Sequence, residues 1–466
     1  MSTRPRRPSR PLPPLPNVQT LVAFAAHHIS TSTPTTVSYE PIPTAPALLD
    51  AIAAICSTTS RTAIALTIDS KLRQVHLLLS QEGVEQPSPR LHTHIQRTWK
   101  LLQELSNTAH GPKNSDTRAR EIRLYRYLYT FHRTEIAKGF NEWWPKLDIT
   151  CRKLGRAVRR EKSELPRLMM RFQNAVVALR KVVDILGEEI EVKDEEWWEV
   201  RCLMEVAAAH KEVLVGRWEE CEDWGVGFRD TGLAGPSTAR RALENLTALH
   251  ESISTLTGYA SSPTSTTIFT FTIHASLLTC PSRPIPLPAD WTPTIRALNP
   301  PSKALRRSTV AKELSAAYAT TLHGSPHPEC NLISYLQSRH SATPPLGYIG
   351  MSTPCCLACE NWISYYHSCG SHRYGHRKST GAWSWPWVMS PGVEEPELVE
   401  EIAMLCKEYF SDCCRGREVE REEVDEDDLG KRMREMESWW SESEGQCVFG
   451  CIRVDRCLCF EVLWGK

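Results

Sequence analysis

The sequence predicts an α/β domain preceded by an all-helical N-terminal domain. Two patterns in the chain lead to this expectation. Over residues 17–260, apolar side chains recur mainly every three or four positions, which is the spacing of amphipathic helices. Over residues 261–415, short β-branched or apolar runs alternate with helical patterns, and that order is typical of an α/β layer fold.

Length and composition indicate a soluble globular chain of two or three units. Of the 466 residues, 41% are hydrophobic and 24% are charged, and no apolar run is long enough to predict a transmembrane helix. Residues 1–16 are rich in Arg and Pro and predict a disordered basic arm rather than a secretory signal. We therefore expect the 17 cysteines to be reduced and the protein to be intracellular, in cytoplasm or nucleus.

Charge is distributed unevenly along a chain whose formal net charge is zero. From Glu394 onward there are 21 acidic and 10 basic residues, a balance of −11, so the preceding part carries +11. We expect residues 416–466 to form an acidic C-terminal extension. The basic part is compatible with a polyanionic partner such as single-stranded nucleic acid, and equally with two solvated surfaces of opposite sign.

The helical pattern is clearest over Leu165–Leu186, where Gly187 follows as a stop signal. A second helical pattern covers Arg118–Trp143, in which arginines interleave with three tyrosines at positions 125, 127 and 129. Such a mixture can hold single strands by stacking and phosphate contact. The stronger interpretation is a buried tyrosine stripe beneath a solvated arginine face.

Beyond residue 260, the β and helical signals alternate. We predict strands at Thr266–Ser276, Leu346–Met351 and Trp383–Trp387, the last at a sheet edge because it contains a proline. Helical patterns cover Cys330–Arg339 and Cys356–Tyr366. Two motifs with metal-ligand chemistry therefore lie at junctions that lead into helices.

The first motif is His327-Pro-Glu329 and the second is Cys356-x-x-Cys359. Pro328 suits the first position of a helix, which would place His327 at the cap and Glu329 in the first turn. One imidazole and two thiolates can hold a four-coordinate Zn²⁺ that keeps one position open, while Glu329 moves protons. Cys355 is then an additional thiol beside the ligand pair.

These motifs resemble those of the cytidine-deaminase-like superfamily, and most closely the predicted nucleic-acid or nucleotide deaminases of fungi. The resemblance covers residues 265–395 and includes Tyr348–Ser352, Trp362 and the aromatic Trp383–Trp387 stretch. It implies a three-layer α/β/α domain with a mixed sheet, one catalytic Zn²⁺ and hydrolytic removal of an exocyclic amine. Where the family has a Gly-Ser-His-Gly-Lys-like segment, this chain has Lys378-Ser-Thr-Gly-Ala382.

The resemblance assigns His327, Cys356 and Cys359 as zinc ligands and Glu329 as the proton carrier between water, ring nitrogen and departing ammonia. The substrate is then a cytosine or adenine base in a nucleic acid or nucleotide. Residues that could contact this substrate are His372, His376, Arg377 and Trp383. The residues do not distinguish the two bases, and they indicate no oligomeric state.

Two other interpretations use the same residues. Cys356-x₂-Cys359-x₁₂-His372-x₃-His376 has the spacing of a Cys₂His₂ zinc finger, which would make this a non-catalytic interaction module for nucleic acid or protein. Glycines at 370 and 375 disfavour the helix that such a finger needs, and His327 and Glu329 would have no role. Alternatively, the cysteines are small core residues and His327 is a loop histidine.

Overall fold

A computed structural model of the protein describes most of the chain between residues 18 and 404. The described residues are 18–29, 44–57, 60–86, 88–107, 115–157, 165–187, 193–216, 236–262, 266–298, 307–318, 321–338, 345–369, 373–379, 383–384, 386–389, 400 and 402–404. They fall into two compact units, one within Met1–Glu135 and Glu251–Arg417 and the other within Ile136–His250. The predicted basic arm and acidic extension lie outside the described residues, as does His372.

The first unit contains a five-stranded mixed sheet and a separate pair of short strands. Its strands are β1 (Thr62–Asp69), β2 (Gln74–Gln81), β3 (Thr272–Leu278), β4 (Arg283–Pro286), β5 (Thr321–Gly324), β6 (Tyr348–Met351) and β7 (Gly375–His376). The five-stranded sheet has the order β3-β2-β1-β6-β7, and β4 pairs with β5. β1 is antiparallel to β2 and β6, whereas the β2–β3 and β6–β7 pairs are parallel.

The chain also forms helices before, between and after these strands. They are α1 (Val18–Ile29), α2 (Thr44–Cys56), α3 (Pro89–Ser106), α4 (Ser115–Phe131), α5 (Arg133–Ala157), α6 (Leu165–Gly187), α7 (Asp194–Gly216), α8 (Pro236–Ser261), α9 (Thr266–Phe269), α10 (Thr292–Leu298), α11 (Arg307–Ala317), α12 (Pro328–Ser338) and α13 (Leu357–Cys369). None of the helices in the described ranges is both long and apolar enough to span a bilayer.

Helices cover both faces of the five-stranded sheet. On one face, Ala63 and Ala65 of β1 share a buried core with α1, α12 and α13. On the other face, α2 approaches β6 so closely that a Cβ on Gly350 would lie 2.5 Å from the carbonyl carbon of Leu49. Asp50 of α2 accepts hydrogen bonds from the Met351 amide at 2.8 Å and the Tyr348 hydroxyl at 3.0 Å. The sheet is therefore tied to helices on each side.

The expected all-helical N-terminal domain was wrong for the hairpin β1–β2, which supplies two strands of the main sheet. Asp69 shapes its turn by accepting from the amides of Lys71 at 3.0 Å and Leu72 at 2.9 Å. Arg73 takes a positive φ of 52° in the same turn. The strands that pair with the hairpin are distant in the chain, since Gln74 of β2 lies opposite Thr272 of β3 and Ala63 of β1 lies opposite Met351 of β6. Local helical periodicity therefore did not reveal the hairpin.

Most other predicted elements are present with shifted ends. The helix over Leu165–Leu186 is α6, the strand over Leu346–Met351 is β6, and the two motif helices are α12 and α13. Thr266–Phe269 forms a short helix, and the strand predicted there begins only at Thr272. The stretch around Trp383–Trp387 forms no strand among its described residues and makes one bridge, between Val388 and Pro326. Pro386 cannot donate to a ladder, which shortens the pairing.

Candidate metal centre and active site

His327 lies directly before α12, in the segment that connects β5 to this helix. Pro328 is the first helical residue, and the Asn331 amide donates to the His327 carbonyl at 3.0 Å. Glu329 follows in the first turn, as the sequence predicts. Because this turn also packs into the core, the His327 and Glu329 side chains are 1% and 3% exposed. The local cap thus fixes both side chains inside the protein.

The two cysteines occupy the equivalent place at α13. Cys356 immediately precedes the helix, and its carbonyl accepts from the Glu360 amide at 3.0 Å. Cys359 lies in the first turn, and both thiols are buried. The positive end of the α13 dipole favours the thiolate form at such a position.

These residues bring three potential ligand atoms together. His327 Nδ1 lies 3.1 Å from Cys359 Sγ and 3.5 Å from Cys356 Sγ, and the two sulfurs are 3.5 Å apart. Around tetrahedral Zn²⁺, ordinary bond lengths give ligand separations of about 3.6 Å for N···S and about 3.8 Å for S···S. The observed separations agree within about 0.5 Å, so His327, Cys356 and Cys359 could bind a metal ion of this kind.

The electrostatics of the cluster suit a cation. Burial alone raises the pKa of the Cys356 thiol, but its hydrogen bond with Cys359 and the nearby His327 imidazole bring that pKa well below its usual range. Burial likewise lowers the pKa of His327, and the Cys356 thiolate more than reverses this effect. Negative charge is therefore concentrated at Cys356, whereas burial and the neighbouring Cys330 and Cys356 thiols raise the pKa of the Cys359 thiol well above its usual range.

Two further side chains orient the ligands. Glu82 Oε1 lies 3.6 Å from His327 Nε2, an ion-pair distance that favours a proton on Nε2, while Nδ1 faces the sulfurs. The indole N–H of Trp387 donates to Cys359 Sγ at 3.3 Å. A carboxylate behind a ligating imidazole and a donor to a ligating sulfur are both usual around protein metal sites.

Glu329 lies beside the cluster without belonging to it. Its Oε1 is 4.0 Å from His327 Nδ1. Within the described residues, this buried oxygen has no hydrogen-bond partner. A buried carboxylate oxygen without a partner costs free energy, so it marks a place where another group is expected to bind.

An open cavity of about 580 Å³ leads to His327. Its lining includes Ala26, Arg61, Glu82, Tyr318, His327, Trp383 and Ser384. Arg61 is the basic group of this lining, with Nη1 3.3 Å from His327 Nδ1 and Nη2 donating to the Ser384 hydroxyl at 2.5 Å. The cavity therefore presents a cation, a carboxylate and an indole around the imidazole.

Sequence reasoning missed Arg61 and Glu82. Arg61 precedes β1 and Glu82 follows β2, and the register pairs Thr62 with Gln81. The two residues consequently face each other, with the Glu82 amide donating to the Arg61 carbonyl at 3.1 Å. The signal that could have revealed them is the alternating run Thr62–Ile68, which is typical of a strand. A hairpin beginning with this strand brings the residue before its first strand, Arg61, next to the residue after its second strand, Glu82.

The predicted substrate contacts are only partly assembled. Trp383 lines the cavity, whereas His376 lies on β7 with its ring centroid 6.4 Å from that of His367. The Arg377 carbonyl accepts from the Cys355 thiol at 3.3 Å, so Cys355 is engaged outside the ligand cluster. The role of His372 stays a prediction, because this residue lies outside the described residues.

The cluster also bears on the zinc-finger interpretation. Among the described residues, the imidazole that joins the two thiols is His327, which the finger leaves out. His376, which the finger requires, is absent from that cluster. The geometry therefore favours a site shared between α12 and α13 over a finger contained in residues 356–376.

Comparison with known proteins agrees with this arrangement. A family model described as an OTT_1508-like deaminase matches residues 326–387, a span that contains all three cluster residues and Glu329. Searches of curated proteins and of solved structures found no match. The span from Pro326 to Trp387 is thus similar to a deaminase, and it lies in an α/β unit with a mixed five-stranded sheet.

Proposed function

We propose that the protein is a zinc-dependent hydrolytic deaminase that acts on a cytosine or adenine base in a nucleic acid or nucleotide. The observation that carries the proposal is the buried cluster of His327, Cys356 and Cys359 beside Glu329, at the head of a polar cavity. In the net reaction, water replaces the exocyclic amine, so that base and water give the oxo base and ammonia.

His327, Cys356 and Cys359 would hold the Zn²⁺. When bound, this ion lowers the pKa of a coordinated water to about 7 and so supplies a nucleophile at neutral pH. The residues of the chain then have to position the base, exclude bulk water and move protons.

Glu329 is placed for the proton transfers. Its unpartnered Oε1 can accept one proton from water beside the cluster and pass it to the ring nitrogen of the base. It can then take the second proton, from the newly added hydroxyl group, and pass it to the amine, which leaves as ammonia. Because the carboxylate is held in the first turn of α12, it keeps a fixed position relative to His327. A general base on a rigid helix needs little reorganisation during the reaction.

The cavity lining would position the base. The Arg61 guanidinium and the Ser384 hydroxyl can donate to ring or carbonyl acceptors, and Glu82 can accept from N–H groups. The Trp383 indole offers an apolar surface against which a planar base can pack. These groups could bind either base, and the ammonia-release assay with cytidine and adenosine distinguishes the two substrates.

The test measures bound zinc and ammonia release on the same preparations of full-length protein. Wild type should contain one Zn²⁺ per chain and release ammonia from at least one member of a panel of cytidine, adenosine and their oligonucleotides. Glu329→Gln should keep the zinc and lose activity by at least about 100-fold. His327→Ala should lose both, while His376→Ala, the histidine control for metal binding, should keep the zinc.

Each readout has an outcome that contradicts the proposal. If His376→Ala loses zinc and His327→Ala retains it, the non-catalytic finger replaces the deaminase. If wild type binds zinc but releases no ammonia from any substrate in the panel, the site is a metal-binding module without this chemistry.

A further inference from the structure

The tyrosine-rich helix α4 has two different faces. Tyr125 and Tyr129 are buried, their rings stack with centroids 4.5 Å apart, and the Tyr125 hydroxyl donates to that of Tyr129 at 3.0 Å. This face is core, as the sequence analysis favours. Tyr127 and Phe131 lie on another face and remain partly exposed.

Two arginines of α3 cover those exposed rings. The Arg97 guanidinium lies 4.6 Å from the Tyr127 ring centroid, and the Arg90 guanidinium lies 5.2 Å from that of Phe131. Both arginines are exposed, and within the described residues neither forms an ion pair with a carboxylate. A guanidinium over the face of an aromatic ring keeps N–H groups for a phosphate, and the exposed part of the ring can pack against a base.

The two arginines lie in line along the helix. Arg97 follows Arg90 by seven positions. This spacing places the two residues two turns apart on one side of α3, about 10 Å along its axis. We call the four residues Arg90, Arg97, Tyr127 and Phe131 the α3–α4 surface. It presents a row of two cation–aromatic pairs rather than a single charged site.

A short stretch of the chain links this surface to the cavity. The His94 ring stacks on Phe131 at a centroid distance of 3.5 Å, and its Nε2 donates to the Ile55 carbonyl at 2.9 Å. Burial lowers the pKa of His94 to about 4, so the ring is neutral at pH 7, and its Nδ1 lies 3.1 Å from the Tyr127 hydroxyl. Ile55 precedes the cavity residue Arg61 by six positions, which limits their separation to about 20 Å.

We propose that the α3–α4 surface binds single-stranded nucleic acid and leads it toward the cavity at His327. This inference rests on the proposed function and narrows its substrate class from a nucleic acid or nucleotide to a single-stranded nucleic acid. Guanidinium groups without carboxylate partners can bind phosphates, and the exposed parts of the Tyr127 and Phe131 rings can pack against unpaired bases. An acidic protein would satisfy the charges but would leave the stacking layers without a partner.

The experiment measures binding of full-length protein by fluorescence anisotropy. The probes are fluorescein-labelled 20-mers of oligouridine and oligothymidine, and a 20-base-pair DNA duplex. Wild type should bind at least one single-stranded probe more tightly than the duplex. The double variant Arg90→Ala/Arg97→Ala should bind that probe at least about tenfold more weakly and should reduce the salt slope by about 1.4.

A matched variant separates the stacked arginines from general charge. Lys71→Ala/Lys312→Ala removes two exposed positive charges elsewhere in the same unit and should weaken binding by less than about threefold. Arg90→Lys/Arg97→Lys keeps the charge and loses the planar groups, so it should still bind at least about threefold more weakly than wild type.

The proposal is overturned if wild type binds neither single strand, if the duplex binds equally well, or if the two double alanine variants lose affinity equally. These outcomes leave the deaminase proposal intact, since that proposal is tested by zinc content and by ammonia release from nucleosides and oligonucleotides, not by affinity for the probes. Conversely, Glu329→Gln should retain wild-type affinity for the single strand. Failure of the deaminase proposal would therefore appear in ammonia release, and failure of the nucleic-acid-binding proposal would appear in probe affinity.

Discussion

Replacing Asp50 by asparagine should stabilise the contact between α2 and β6 at alkaline pH. Asp50 accepts from the Met351 amide and the Tyr348 hydroxyl, yet burial raises its pKa from an ordinary 3.8 to about 6. The folded state therefore binds the proton more tightly than the unfolded state does. Stability contributed by protonated Asp50 is present below about pH 4 and is lost as pH rises through about 6.

The magnitude follows from that difference in pKa. A shift of about two units corresponds to about 3 kcal/mol, and residual solvent contact of Asp50 reduces the expected effect to about 1–3 kcal/mol. An asparagine side chain at this position would be uncharged, could still accept from the Met351 amide and could donate to the Tyr348 oxygen. At pH 8 the local free energy of opening at the α2–β6 contact should be larger in the variant by this amount. At pH 4 the variant and wild type should have the same local stability.

Hydrogen exchange is the suitable assay because the chain has two compact units and a single global unfolding free energy is poorly defined for it. Amides of Tyr348–Met351 should exchange about 5- to 150-fold more slowly in Asp50→Asn than in wild type at pH 8. Tyr348→Phe, which removes one hydrogen bond to the carboxylate, should enlarge the pH dependence. Equal protection of wild type and Asp50→Asn at pH 8 would refute the reasoning.

Three other substitutions test the packing and the ligand set. Gly350→Ala should destabilise the contact between α2 and β6 by about 1–3 kcal/mol, because its Cβ would meet the Leu49 backbone, and the amides of Tyr348–Met351 should then exchange about 5- to 150-fold faster; unchanged exchange would contradict the close approach. Cys355→Ser should retain one Zn²⁺ per chain after dialysis and Cys356→Ser should not, since the Cys355 thiol is engaged by the Arg377 carbonyl; equal zinc loss would assign Cys355 to the site. Trp387→Phe removes the donor to Cys359 and should weaken zinc affinity about 10- to 100-fold in a competition titration with a chelator, whereas wild-type affinity would exclude this role for the indole.

The ligand cluster could be predicted because its parts depend on local structure. Pro328 after His327 begins a helix, and the Cys356–Cys359 spacing suits the first turn of another. Each motif therefore determines how its own side chains are presented. The resemblance to deaminases led us to expect these side chains in one site, and in the structure His327 Nδ1 lies 3.1 Å from Cys359 Sγ and 3.5 Å from Cys356 Sγ. Their role as zinc ligands stays a prediction.

The hairpin β1–β2 shows where sequence reasoning stopped. Its side-chain pattern is short and lies in a long stretch of helical periodicity, while its sheet partners are far away in the chain. Strand pairing depends on these distant neighbours more than on local preference. Because we predicted an all-helical N-terminal domain, we did not consider the hairpin β1–β2 as part of the site. The residues that flank it, Arg61 and Glu82, line the cavity.

The sequence by itself determined the chemistry of this protein's site: an imidazole, two thiols and a carboxylate, each held at the start of a helix. Only the tertiary structure decided the surroundings of that chemistry. It placed Arg61 and Glu82 beside His327 through the hairpin register, and it separated Tyr127 from the buried Tyr125 and Tyr129. Local capping is encoded within a few residues, whereas cavity walls and surfaces form where distant segments pack together.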